Sequence, residues 1–201
     1  MGKLPTQSII DILLDGGIET GILTQIYGEA GSGKSCLCLQ ILINCVKSGK
    51  KAVLIDTEGS LDRLKQLSKE YFEDIIKKIR FYKPSNFKDQ DFIIKNLKDI
   101  INQEYSLIII DSILSFYHPT IKFNKVLNSQ LKELSFLAEK YKVAVVITSP
   151  YPFSLLNYWS KTIIELKKIN SFREAILIRH RKLKEGKKIK FTIGENGIKD
   201  A

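Results

Sequence analysis

The chain of 201 residues is poor in several things at once. It has three cysteines, two histidines, five prolines, one tryptophan and one methionine. No apolar run reaches the 18 residues that a membrane-crossing helix needs. The opening Met1-Gly2-Lys3-Leu4-Pro5-Thr6 fits an acylation pattern only loosely and has no apolar core of a signal peptide. Cys36, Cys38 and Cys45 fall in one expected helix with no zinc-type spacing, and an odd count makes a poor disulfide framework. They read as small apolar core residues of a cytoplasmic protein in a reducing compartment. There are no internal repeats, low-complexity tracts or linkers.

What the chain does have is 44% hydrophobic residues, too many for disorder, and a length that suits one compact domain over 1–201. About 70% of the unfolded surface can be buried at this size, so no disulfide or metal is needed for stability. Its formal net charge is +10, of which +7 lies in residues 161–201. Arg179 to Lys190 holds seven basic residues against one acid, Glu185. Alternation there predicts a hairpin, Ala175–Arg181 and Lys188–Ile193, turning at Glu185-Gly186. Such a concentration of charge is either a solvated face or a surface for a polyanion.

Strands are expected at 22–27, 51–56, 79–82, 107–111 and 143–148. Helices are expected at about 33–47, 62–78, 87–101 and 125–140, after a short one near Ile9–Leu14. Alternation of this kind argues for an α/β fold, a mostly parallel twisted sheet flanked by helices. An aromatic-rich loop, Pro150–Trp159, precedes three short strands that form a C-terminal antiparallel extension over about 161–201.

Between the first of these strands and the helix after it lies Gly28-Glu29-Ala30-Gly31-Ser32-Gly33-Lys34-Ser35, the pattern G-x-x-x-x-G-K-[ST]. Glycines let successive N–H groups curl around phosphate oxygens, and the helix N-terminus adds its positive end. Lys34 is expected to reach the β and γ phosphates, and the Ser35 hydroxyl to ligate Mg²⁺. Asp111, ending an apolar strand, is placed to hold the same metal. Glu58, in Asp56-Thr57-Glu58-Gly59, is either a base for an attacking water or an ordinary surface acid.

Taken together, Gly16-Gly17-Ile18-Glu19-Thr20-Gly21, the phosphate loop, Ile55–Gly59 and Leu107–Ser112 resemble the RecA/RadA recombinase ATPases. Pro84–Gln90, Arg179-His180-Arg181 and Gly194–Asp200 resemble stretches of their short archaeal paralogs. The resemblance covers nearly the whole chain and implies a RecA-like P-loop ATPase core without the N-terminal helical DNA-binding domain or polymerisation linker. It implies that Lys34 and Glu58 are catalytic, Ser35 and Asp111 hold the metal, and ATP and Mg²⁺ are bound. The nucleotide-binding set becomes Gly28, Glu29, Ala30, Gly31, Ser32, Gly33, Lys34, Ser35 and Cys36, with Arg63 over the adenine, where a planar guanidinium stacks well.

DNA, single-stranded and without sequence preference, is the expected partner. Arg179, His180, Arg181, Lys182, Lys187, Lys188 and Lys190 are the expected contacts. Further implied partners are a RadA-type recombinase and a Holliday-junction nuclease, with a homodimer or ATP-dependent oligomer as the assembly. Two features depart from the family. Its Asn-Gln after the fourth core strand is replaced by Thr148-Ser149-Pro150, and proline has no amide with which to relay γ-phosphate sensing. The segment Phe116–Pro119 with Lys122 and Lys125, at the place of the family's first DNA loop, is short. The implied activity is therefore weak ATP hydrolysis in support of recombination and repair, without strand exchange. A non-hydrolysing adaptor, a small-molecule kinase and a clock-type RecA-like ATPase are the competing readings.

Overall fold

A computed structural model describes residues 2–201. In chain order the elements are β1 (Lys3–Leu4), α1 (Ile10–Leu13), β2 (Ile18–Glu19), β3 (Leu23–Tyr27), α2 (Lys34–Lys47), β4 (Lys51–Asp56), α3 (Leu61–Ser68), α4 (Phe72–Ile76) and β5 (Ile79–Tyr82). They continue with α5 (Phe87–Asn96), β6 (Tyr105–Asp111), α6 (Ile121–Tyr141), β7 (Ala144–Ser149), α7 (Ser154–Trp159), β8 (Thr162–Ile169), β9 (Phe172–Arg179), β10 (Lys188–Gly194) and β11 (Gly197–Asp200).

Nine strands form one sheet in the order β11-β10-β9-β8-β3-β7-β6-β4-β5. From β5 to β8 the neighbours are parallel. From β8 outward they are antiparallel. The extension therefore has four strands where three were expected, and the first runs parallel to β3. The short β1 and β2 pair separately.

Both faces of the parallel sheet are covered, which is why its strands read as unbroken apolar runs. One face packs on α2, whose Leu37, Cys38, Leu39, Ile41 and Leu42 are fully buried. Burial pushes the Cys45 thiol up to about 12, as suits an unreactive core cysteine. The other face packs on α5 through Ile94 and on α6 through Leu127, Leu131 and Leu134.

Two expectations on the helices change. The helix expected over 62–78 breaks at Lys69, whose φ is +50°, into α3 and α4 joined by a short 3₁₀ turn. The expected aromatic loop contains a helix, α7.

Candidate nucleotide site

All the parallel strands end at one edge of the sheet, where open α/β folds bind ligands. The phosphate loop leaves β3 there, Glu58 follows β4, Asp111 ends β6, and Thr148 lies near the end of β7. Two glycines make the loop possible. A Cβ on Gly28 would stand 2.1 Å from the Leu166 carbonyl oxygen. Gly33 caps α2 at φ +106°, and a Cβ there would stand 2.7 Å from Ile193.

The loop is buttressed from the extension. The Lys168 N–H donates to Glu29 Oε1 (3.3 Å), and Arg173 Nε donates to the Gly31 carbonyl (3.0 Å). Arg173 has no local signal in the sequence, because the sheet order brings it in from 142 residues away. Lys34 Nζ donates to the carbonyls of Gly28 (2.7 Å) and Glu29 (2.9 Å). Burial lowers the Lys34 pKa, and Asp111 and Glu58 pull it back up.

Asp111 is 1% exposed. Its Oδ1 accepts from Thr148 Oγ1 at 2.5 Å, and its Oδ2 has no hydrogen-bond partner. Burial raises its pKa, while the Thr148 and Ser35 hydroxyls hold it down. A half-satisfied buried carboxylate facing a serine hydroxyl is a hard-oxygen donor set of the kind Mg²⁺ takes with substrate phosphates. Ser32 Oγ and Ser112 Oγ are also buried without partners. Ser35, Asp111 and Ser112 line a cavity of about 260 Å³ together with Gly31, Lys34, Glu58 and Pro150. The residues present fit a metal-bound polyphosphate.

Asp56 shapes the turn that carries Glu58. Its Oδ1 accepts from the N–H groups of Glu58 (3.0 Å) and Gly59 (2.9 Å), and its Oδ2 from that of Ser60 (2.7 Å). Glu58 projects to solvent and is met by the Ser115 hydroxyl at 3.0 Å.

Arg63 sits at the margin of the loop. Its Nη2 donates to the Gly194 carbonyl at 2.7 Å and lies 3.7 Å from Cys36 Sγ at the start of α2.

The cationic hairpin is not one surface. His180 points inward: its Nδ1 accepts from the N–H groups of Lys182 and Leu183 (3.1 Å each), and its ring lies beside buried Glu19. That corrects its place among the DNA contacts. Arg181 reaches the same Glu19 (3.4 Å), Arg179 donates to the Asn157 carbonyl (2.6 Å) and Lys187 to that of Ile12 (2.6 Å). Lys188 pairs with Glu174 on the neighbouring strand (3.5 Å), and Lys190 lies over the Phe172 ring. Lys182 is exposed.

The aromatics after β7 divide. Phe153 packs on Tyr117 and Trp159 donates to Asn128, whereas Tyr151 and Tyr158 are 50% and 74% exposed.

Among the described residues no helix is long and apolar enough to cross a membrane, and no group of His, Cys, Asp and Glu forms a metal cluster.

The family model described as Rad51 matches residues 4–152. A relative named DNA repair and recombination protein RadB, from Methanobrevibacter smithii, is 39% identical over 98% of this chain and 95% of its own. Its namesake from Methanocaldococcus jannaschii is 38% identical, over 94% and 97%. A solved structure titled "Crystal structure of the RadB recombinase" superposes with a TM-score of 0.90 at 33% identity, covering 98% of this chain and 99% of that one. With its phosphate loop, strand-end carboxylate and sheet order, the chain belongs to the Rad51 family and, within it, to the RadB proteins of DNA repair and recombination.

Proposed function

We propose that the protein is an ATP-binding, slowly ATP-hydrolysing recombination protein that contacts DNA and carries out no strand exchange of its own. The observation that carries the ATP reading is the convergence of Lys34, Ser35, Glu58 and Asp111 on one cavity beside the phosphate loop. The sheet, continuous to Asp200, supports reading the whole chain as a single ATPase core.

Loop N–H groups and Lys34 bind the phosphates, while Ser35 and Asp111 hold the metal. Mg²⁺, when bound, supplies charge neutralisation on the phosphate oxygens. Glu58 accepts a proton from a water whose oxygen bonds to the γ-phosphorus. The bond to the bridging oxygen breaks and ADP leaves with that electron pair. Arg63 borders the base end of the nucleotide.

DNA contact is assigned to the edge above the site. There Lys125 and Tyr158 line one hollow with Ile121, and Lys122 and Tyr151 are exposed nearby in the chain. Exposed cations and tyrosines suit unpaired strands without sequence preference. The hairpin is a secondary contact, through cations such as Lys182, Lys188 and Lys190. Pro150, in the cavity wall, has no amide to relay γ-phosphate sensing, which supports the absence of strand exchange. A RadA-type recombinase, a Holliday-junction nuclease and a second copy of the chain are the proposed protein partners, and the cytoplasm the proposed location.

Pro150 also favours a second reading, a nucleotide-stabilised adaptor that does not turn over. Steady-state ATP hydrolysis with and without single-stranded DNA separates the two. The hydrolytic reading expects slow release of phosphate that Glu58→Gln reduces at least about a hundredfold, in line with loss of a general base. Turnover unchanged by Glu58→Gln removes the water-activating role.

A further inference from the structure

Glu58 is exposed, and an exposed glutamate has free rotamers whose restriction costs free energy. A catalytic carboxylate must nevertheless be held within about half an ångström of its working position. Its neighbours in the chain do not hold the side chain, and the Asp56 turn fixes only its backbone.

A chain of hydroxyls reaches the side chain. The Ser112 N–H donates to Thr57 Oγ1 at 2.7 Å, Thr57 Oγ1 and Ser115 Oγ are 2.7 Å apart, and Ser115 Oγ donates to Glu58 Oε1 at 3.0 Å. A carboxylate only accepts, so the single Ser115 proton goes to Glu58. The Thr57 hydroxyl also reaches the carbonyls of Asp111 (3.1 Å) and Ser112 (3.0 Å), so its one proton is shared among these and the Ser115 oxygen, and Thr57 is tied to that backbone by both its oxygen and its proton. The origin of the chain is fixed to the metal-holding strand, because the Thr57 N–H donates to the Asp111 carbonyl at 2.7 Å.

We propose that Ser115 is a positioning residue for ATP hydrolysis: its hydroxyl anchors Oε1 of Glu58 through Thr57 to the Asp111–Ser112 backbone and leaves Oε2 for the attacking water. This inference rests on the proposed role of Glu58 as base. Ser115 also lines the cavity with Lys34 and Asp111, so the anchor lies inside the site.

The test compares Ser115→Ala and Ser115→Thr with the parent in single-turnover hydrolysis, and measures binding of Mg-ADP with and without aluminium fluoride. Ser115→Ala is expected to lower kcat five- to tenfold, leave KM and ADP affinity within twofold, and weaken the ADP–aluminium fluoride complex five- to tenfold. Ser115→Thr keeps the hydroxyl and restores kcat to within threefold. In a Glu58→Gln background Ser115→Ala is expected to cost nothing more, since the two act as a unit. Parental kcat in Ser115→Ala alongside a disabled Glu58→Gln overturns the positioning role alone. Equal loss of ADP binding and turnover overturns it too, by showing a structural role. Parental turnover in Glu58→Gln overturns both this inference and the hydrolytic reading beneath it.

Discussion

Asp111 stands in a poor environment for a carboxylate. It is buried, accepts one hydroxyl at Oδ1, and keeps Oδ2 without a partner. Burial raises its pKa, so its ionised form is a cost to the fold at neutral pH that a bound cation offsets. Replacing it by Asn removes the charge and keeps the shape. Asp111→Asn is expected to be more stable than the parent without Mg²⁺, by roughly 1 kcal/mol, as stabilised active-site variants commonly are. It is also expected to lose the stabilisation by Mg-nucleotide that the parent shows, about 2.7 kcal/mol at a hundredfold excess over Kd. Thermal melting with and without Mg²⁺ and nucleotide measures both, and a destabilised variant that still responds to Mg-ATP contradicts the assignment. The site was legible at this scale where its signal is local. Gly28–Ser35 is one unbroken stretch of chain, and Asp111 announces itself at the end of an apolar run. Ser115 and Arg173 were not legible, because each acquires its partner only when strands far apart in the chain become neighbours.

At the scale of elements the clearest departure is the β9–β10 hairpin. Alternation located both strands and turned Ile189 and Phe191 away from Lys188 and Lys190, as observed. It could not say what stands opposite those lysines. Glu174 pairs across from Lys190 and takes the Lys188 ammonium, so the row alternates in sign. His180, in the segment after β9, ties that strand to β2. Burial lowers its pKa against the pull of Glu19, and Lys3, Arg181 and Lys182 lower it further. The folded protein then holds fewer protons than the unfolded chain below about pH 6.5, the ordinary histidine value, so stability rises with pH through that region and falls as acid is added. His180→Ala leaves two backbone N–H groups without their acceptor and is expected to cost about 1–2 kcal/mol at neutral pH. It should also flatten the loss of stability on acidification through about pH 6.5 in urea unfolding. An unaltered slope contradicts a buried neutral imidazole.

For the whole molecule, a net charge of +10 does not say which cations are placed to meet a polyanion. Arg179 and Lys187 bond backbone carbonyls, and Arg181 and Lys188 pair with Glu19 and Glu174, while Lys122 and Lys125 are exposed near the edge that carries the nucleotide site. Changing Lys122 and Lys125 to Ala is expected to weaken single-stranded DNA binding alike for all sequences. The slope of log affinity against log salt should become shallower by about 1.4, at ~0.7 for each phosphate no longer neutralised. The corresponding change of Lys182, Lys188 and Lys190 is expected to move the slope less, and the reverse order would return DNA to the hairpin. Sheet order and burial gather the phosphate loop, two carboxylates and this cationic rim on one edge, and the chemistry depends on the first of these. Isothermal calorimetry of the intact protein with Mg-ATP tests it most directly. Saturation at one nucleotide per chain, abolished by Lys34→Ala in a protein that melts like the parent, is the predicted result. No heat and no saturable binding at millimolar Mg-ATP would contradict the account.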